Sequence, residues 1–288
     1  MLKRLVLSII ECNIDKSLIK DVHIVIVDND VEKTAEIPVN ELRQKLKGAF
    51  NINHYNYPVK GFSHVRNELL KKALELNPEF IVFIDDDEYP SAQWLNELIK
   101  TIVNNNGDMA MGPIISVFDN NISKYISCWF ERPSHLANAK VDYIRTGNLI
   151  IRADSLVKFK VWFDNRFNLT GSEDSYFGIQ MVKKDASVFW SPDAIVFETI
   201  PESRANLKYL IKRHYGGASE FTYILKLEKR YLKLLKKILV SLTYTISGIC
   251  GIAILPFPIK NKYWGILKLS EGIGGFSGFF NMLYKVNK

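Results

Sequence analysis

Residues Phe80-Ile81-Val82-Phe83-Ile84-Asp85-Asp86-Asp87-Glu88-Tyr89-Pro90 narrow the possible folds more than any other stretch of the chain. Five apolar residues in a row have the pattern of a strand buried in a parallel sheet. The run ends in four carboxylates, and Pro90 stops it. Crowded carboxylates repel, and a divalent cation among them lowers that self-energy. Hard oxygen ligands suit Mg²⁺ or Mn²⁺. Ligands of open α/β sheets bind beyond the carboxyl ends of strands, where these acids fall. The alternative is a solvated acidic turn before a helix whose N-terminus favours negative charge.

The rest of the first half alternates helix and strand. Leu2 to Ile10 has helical spacing, and His23 to Asp28 reads as a strand closed by the polar turn Asp28-Asn29-Asp30. A loop and short helix fill 31–50, and Asn51 to Pro58 is extended. Gly61-Phe62-Ser63-His64-Val65-Arg66-Asn67 opens a helix reaching about Asn77, with Leu69, Leu70, Ala73, Leu74 and Leu76 on its buried side. After the acidic strand, Ser91 is a candidate cap for a helix whose apolar face is Trp94, Leu95, Leu98, Ile99 and Ile102. This order implies a doubly wound sheet. Beyond it, a strand is expected at 108–115 and another at 141–152, interrupted by Thr146-Gly147-Asn148. Loops are expected at 116–140 and 163–172, a helix from Glu173-Asp174, and an extended stretch at 187–198 broken by Pro192.

The 288-residue chain is globular in composition, with a net charge of +7 that is unevenly placed. From Arg204 onward there are fifteen Lys and Arg against three Asp and Glu, so the first 203 residues are net acidic. An acidic body with a basic tail fits a membrane surface better than nucleic acid, for which no reader motif is present. Residues 208–237 are basic and amphipathic, and 238–259 carry no charge. That run is long enough to span a bilayer, although Gly248, Gly251, Pro256 and Pro258 weaken it as a helix. A second uncharged, Gly-rich stretch covers 272–284. The competing reading is a core helix of a soluble protein. Cys12, Cys128 and Cys250 are odd in number and far apart, which fits a reducing compartment without disulfides. No signal peptide is visible, so the body is expected on the cytoplasmic side.

Four motifs in order carry a family resemblance: Val27-Asp28-Asn29-Asp30, Gly61 to Asn67, Phe83-Ile84-Asp85-Asp86-Asp87-Glu88, and Gly171-Ser172-Glu173-Asp174. Over about residues 1–220 the chain resembles family 2 glycosyltransferases of the GT-A fold. The resemblance implies a Rossmann-like α/β domain over 1–203, with a mixed, mostly parallel sheet flanked by helices. Residues 204–288 then form a helical, membrane-associated segment. It implies a nucleotide-diphosphate sugar held on Mg²⁺ or Mn²⁺, with Asp28 at the base and Asp85 near the ribose. Asp87 is the metal ligand, Asp86 and Asp85 compete with it in register, and Arg66 holds the nucleotide. Asp174 is the general base with Glu173 beside it, and Gly147 and Asn148 line the sugar pocket. Arg204 and Arg213 resemble a basic segment over the diphosphate.

Each assignment has a plainer competitor. Glu173-Asp174 could simply complement a helix N-terminus. Thr146-Gly147-Asn148 could be a strand irregularity. Arg204 and Arg213 could lie on a solvated face. His23, His54, His64 and His135 lack ligand spacing and are read as structural. Two departures from the family stand out. The chain starts in the helix that should follow a first apolar strand, so a preceding strand is expected to be lost. Glu198 stands where relatives place a metal-binding His, and could ligate metal or pair with Arg204. The leading expectation is an inverting, metal-dependent transferase at the cytoplasmic membrane face, acting on a lipid-linked or envelope-glycan acceptor. The alternatives are a non-catalytic nucleotide-binding or membrane scaffold, and a nucleotidyltransferase.

Overall fold

The computed structural model describes residues 1–46, 50–253 and 262–285. The end of the expected 31–50 segment and the last part of the uncharged run at 238–259, with Pro256 and Pro258, lie outside the described residues.

The first half follows the periodicity. It runs α1 (Leu2–Ile10), β1 (His23–Asp28), α2 (Glu36–Leu46), β2 (Asn51–Asn56), α3 (Phe62–Leu74) and β3 (Phe80–Phe83). Next come β4 (Glu88–Pro90), α4 (Trp94–Asn104), β5 (Met109–Met111) and β6 (Ile114–Phe118). The single strand expected at 108–115 is therefore two, because Gly112-Pro113 interrupts the ladder where Pro has no N–H to give. Ser91 does not cap α4 with its side chain. Gln93 holds that position, and the Ser91 carbonyl accepts from Trp94 N–H at 3.1 Å. The apolar face of α4 is buried as its spacing requires.

Next in order are α5 (Lys124–Ser127), β7 (Lys140–Val141), β8 (Leu149–Arg152), α6 (Ala153–Phe159), α7 (Glu173–Lys183), β9 (Val188–Trp190) and β10 (Val196–Ile200). The helices α8 (Leu207–Leu227), α9 (Tyr231–Ile252) and α10 (Trp264–Phe279) follow.

The chain divides into two compact units, the first comprising 1–117, 132–168 and 173–199. Within it β1 and β2 pair in parallel, residue for residue from His23–Asn51 to Asp28–Asn56. A five-stranded sheet has the order β3-β8-β5-β9-β7, and β4-β10-β6 form a third. Pairing is mixed. β5–β9 is parallel, whereas β3–β8, β5–β8, β7–β9 and β4–β10 are antiparallel. The acidic strand β3 was expected in a parallel ladder; its ladder runs against β8. The cause is local: β8 returns between β3 and β5 in the opposite direction, after a long excursion through 112–148 rather than a helical crossover.

Two apolar clusters support this unit. One joins α1, β1, α4 and Val196, with Val6, Leu98 and Ile102 fully buried. The other lies under β3, β5, β8 and α7, with Phe163 and Phe177 stacked at 4.5 Å between centroids.

The second unit comprises 118–131, 169–172 and 200–288. A small cluster of Ile126, Phe130, Ile200, Leu210 and Leu267 supports it, together with the packing of α10 on α8 and α9. Phe130 stacks on Tyr209, with ring centroids 6.3 Å apart.

Phe177, on α7, is completely buried. Phe177→Ala should lower unfolding free energy by about 3–5 kcal/mol, read as a shift in denaturant midpoint without a change in slope.

Candidate active site

Helix α3 begins at Gly61, whose φ of 128° is closed to residues with a Cβ. A side chain there would also strike Asn168. That closeness is used: Asn168 Oδ1 accepts from His64 N–H at 3.1 Å. Ser63 donates to the Asp164 carbonyl at 2.7 Å. Asn67 holds Phe163 from both sides, donating to its carbonyl at 2.8 Å and accepting its N–H at 2.9 Å. Three residues of one motif, Ser63, His64 and Asn67, thus fasten the first turns of α3 to the segment leading into α7.

This fastening decides where Arg66 points. One guanidinium nitrogen lies 3.1 Å from Asp85 Oδ1, and another forms an ion pair with Glu173. Glu173 is 1% exposed, and its second oxygen finds no hydrogen-bond partner among the described residues. Two acidic motifs about ninety residues apart in the chain therefore meet across one guanidinium.

Asp174 follows at the first turn of α7, with Oδ1 accepting from Ser175 N–H at 2.5 Å. Burial pushes its carboxyl above the ordinary aspartate range, and the nearby Asp85 charge adds to the rise. Arg66 and the Ser175 hydrogen bonds oppose it without cancelling it. A carboxylate so placed is a better proton acceptor than a solvated one.

The acidic turn has a floor that sequence reasoning left out of the site. Glu88 is buried, and it closes the turn twice: its N–H donates to the Asp85 carbonyl at 3.2 Å, and its Oε2 accepts from Asp85 N–H at 2.9 Å. Burial, then the Asp85, Glu198 and Asp87 charges, drive its proton affinity far above the usual carboxylate range. Glu198 faces Glu88 directly across the β4–β10 ladder. The partner the structure gives Glu198 is Arg132, through an ion pair. Arg4 was likewise not anticipated. It lies 4.3 Å from the Tyr89 ring centre, reaches the Asp87 carbonyl at 3.4 Å and donates to Thr199.

The remaining expected residues fall in different places. Asp86 is exposed at the tip of the turn. Gly147 lies against Glu88, and any Cβ there would collide with the Glu88 carboxylate. Asn148 is buried with its amide spent on the protein: Oδ1 accepts from Trp94 Nε1 at 2.8 Å, and Nδ2 donates to the Ala194 and Pro113 carbonyls at 2.7 and 3.0 Å. It braces the sheet. Asp28 is nearly buried and holds the following loop, accepting from Asp30 N–H at 2.9 Å and Ala35 N–H at 3.0 Å. His54 lies 4.0 Å from its other face. Arg204 and Arg213 belong to the second unit, where Arg213 sits 5.3 Å from the Phe130 ring centre.

Among the described residues no three His, Cys, Asp or Glu side chains converge as a ready-made metal cage. The donor set nevertheless fits a hard cation. Asp85, Asp86, Asp87 and Glu88 crowd one turn, and Mg²⁺ commonly takes only one or two carboxylates and completes its shell with phosphate and water.

Residues 1–157 match the model of the family described as glycosyl transferase family 2, and the chain belongs to that family. It is a glycosyltransferase of mixed α/β, GT-A-like fold. Succinoglycan biosynthesis protein ExoM of Rhizobium meliloti (strain 1021) is 28% identical over 239 residues, covering 82% of this chain and 75% of that one. The crystal structure of S. aureus TarS 1-349 in complex with UDP-GlcNAc aligns with TM-score 0.55 at 15% identity, over 98% of this chain and 88% of that one. GalNAc-T7 with UDP, GalNAc and Mn²⁺ aligns with TM-score 0.57 at 12% identity, over 78% and 45%.

Removing Arg66 strands the buried Glu173 carboxylate. Arg66→Ala should cost about 3–5 kcal/mol of stability, measured by denaturant titration. Asp174 carries the opposite signature. Its raised folded-state pKa means that ionisation opposes folding above the ordinary aspartate pKa, most fully above the raised value. Asp174→Asn should therefore raise the melting temperature of the ligand-free protein at neutral pH, with the gain vanishing as pH falls below about 3.9.

Proposed function

We propose that the protein moves a sugar from a nucleotide-diphosphate donor to a hydroxyl of a lipid-linked or cell-envelope glycan, inverting the anomeric centre, at the cytoplasmic face of a membrane. The observation that carries this reading is the Arg66 bridge. It brings the acids after β3 and those opening α7 into one neighbourhood, so a donor-holding group and a base can serve one reacting carbon. The relative acting in succinoglycan biosynthesis supports an envelope polysaccharide product, and the neighbours holding UDP-GlcNAc, or UDP with Mn²⁺, support a nucleotide-sugar donor.

Asp87, with Asp85 beside it, would hold Mg²⁺ or Mn²⁺. Such an ion, when bound, neutralises charge developing on the departing diphosphate. The protein's own residues do the rest. Glu88 fixes the backbone of the acidic turn by accepting the Asp85 N–H. Glu173 anchors Arg66, and Arg66 holds Asp85. Asp174 takes the proton of the acceptor hydroxyl as its oxygen attacks the anomeric carbon. The new C–O bond forms on the face opposite the breaking C–O bond to phosphate, so configuration inverts and the nucleoside diphosphate leaves. Asp28, Asp86 and Gly147 remain candidate donor contacts. Asn148 supports the reading only as a brace.

The test compares hydrolysis and transfer from UDP-, GDP- and dTDP-sugars, with and without added Mg²⁺ or Mn²⁺, using a lipid extract of the native membrane as acceptor. Asp174→Ala should reduce turnover by about 10²–10⁴-fold with donor binding retained, and Asp87→Ala should lose both turnover and metal-dependent donor binding. Binding of every donor without turnover in the unaltered protein would overturn the reading in favour of a scaffold.

A further inference from the structure

Helix α9 is built the wrong way round for water. Its buried positions are Leu234, Ser241, Gly248 and Gly251, three of them small. Its exposed positions include Leu232, Leu235, Leu239, Leu242, Ile246 and Ile249, a stripe at alternating spacings of three and four. Leu232 is 86% exposed and Ile249 59%. In an aqueous core the large apolar groups would face inward. Small residues inside and large ones outside is the arrangement of helices whose solvent is hydrocarbon, because packing rather than water exclusion then joins the helices.

The contacts within the second unit agree. A Cβ at Gly248 would meet the backbone of Gly265 and Leu269, and one at Gly272 would meet Ser241 and Thr245. On the other side of α10, a Cβ at Gly274 would meet Tyr215 backbone, and one at Gly278 would meet Ser219 backbone. Ser270 Oγ donates to the Ile211 carbonyl at 2.7 Å. Close backbone approach and hydroxyl bonds thus fix α10 between α8 and α9.

We infer that α9 lies flat in one leaflet of an anionic bilayer, with the Leu232–Ile249 stripe in the shallow hydrocarbon, rather than crossing the membrane. By length and composition alone α9 would serve as a span. Its neighbour forbids it. Lys268 of α10 lies 4.2 Å from the Tyr244 ring centre, halfway along α9, and pairs with Glu271 at 2.8 Å, which also binds His214 of α8 at 2.6 Å. A crossing α9 would carry this charged group into the bilayer centre. Lying flat, α9 puts only its outer stripe into lipid and leaves the charges behind it.

The sign of the lipid follows from the basic end. Lys229, Arg230, Lys233 and Lys236 surround the first turns, and Lys229, Lys233 and Lys236 are exposed. The helix contains no Asp or Glu. A second copy packed along the heptad-like stripe would therefore bring lysines together with no acid of α9 to answer them, whereas anionic headgroups answer them directly. The use of this seat, presenting the site to a lipid-linked acceptor, rests on the reading of the preceding subsection; the geometry of the seat does not.

The experiment uses the full chain with one environment-sensitive thiol label at a time. Cys250 is native and exposed on α9. A Cys128→Ser background reads it, and adding Cys250→Ser allows Leu232→Cys, Leu239→Cys and Ile246→Cys to be read in turn. Vesicles of phosphatidylcholine and phosphatidylglycerol carry acyl chains brominated near the headgroup or near the chain end. We expect all four probes to be quenched most by the shallow bromines and to similar degrees. Partition should fall about tenfold or more in Lys233→Glu/Lys236→Glu, a surface change that circular dichroism should find folded, and should fall likewise in vesicles of phosphatidylcholine alone. Probe depth rising steadily along the helix to the chain ends would overturn the inference in favour of a span. Unquenched probes with a concentration-dependent dimer would overturn it in favour of a second copy. Donor hydrolysis on the same samples separates the two proposals. Shallow probes on a protein that never turns over donor sink the transferase mechanism alone, and deep or unquenched probes on an active protein sink the seat alone.

Discussion

The site depends on a single guanidinium. Arg66 lies between Asp85 and Glu173, two carboxylates that would otherwise repel, one half-exposed and one buried. A buried carboxylate is tolerable only with a charge partner. The requirement runs backward through the fold. Arg66 must reach Glu173, so α3 must be fixed to the segment before α7, and Ser63, His64, Asn67 and Gly61 do that work through Asp164, Asn168 and Phe163. The motif Gly61 to Asn67 is thus a mechanical unit. Its glycine permits the close approach, its polar residues form the splice, and its arginine is the part being positioned.

The acids themselves sit in a graded environment. Asp86 is open to solvent, Asp85 is paired, Glu88 is buried with its proton affinity raised first by that burial, and Asp174 is shifted the same way by its own burial. Such a gradient lets neighbouring carboxyls differ in behaviour at one pH. In the proposed reaction the exposed acids meet the donor's charge, and the half-buried Asp174 meets the acceptor's proton.

Much of this could be read before any coordinates. The run Phe80 to Ile84 followed by acids announced a strand ending in an acidic turn. The periodicity of residues 94–102 announced a helix, and Glu173-Asp174 announced its successor. What could not be read was pairing across distance. Arg132 answers Glu198 over 66 residues, and Arg4 reaches Asp87 over 83; no local pattern encodes either. Polar residues spent internally were equally hidden. Asn148 looks like a pocket residue in sequence, but Trp94, Pro113 and Ala194 consume its amide. The antiparallel neighbour of β3 escaped for a related reason, since the long irregular 112–148 stretch gives no sign that β8 returns in the opposite direction. The uncharged run was legible as apolar, but which of its residues face outward depends on α10.

Gly147 has a consequence for how such a protein can diversify. It lies against the Glu88 carboxyl, which in turn clasps the backbone of Asp85. Enlarging residue 147 is a small genetic change. Here it would lever the acidic turn out of place. Change at 147 is therefore tied to the Glu88 clasp, and lineages descending from this architecture should keep 147 small while their surrounding loops drift.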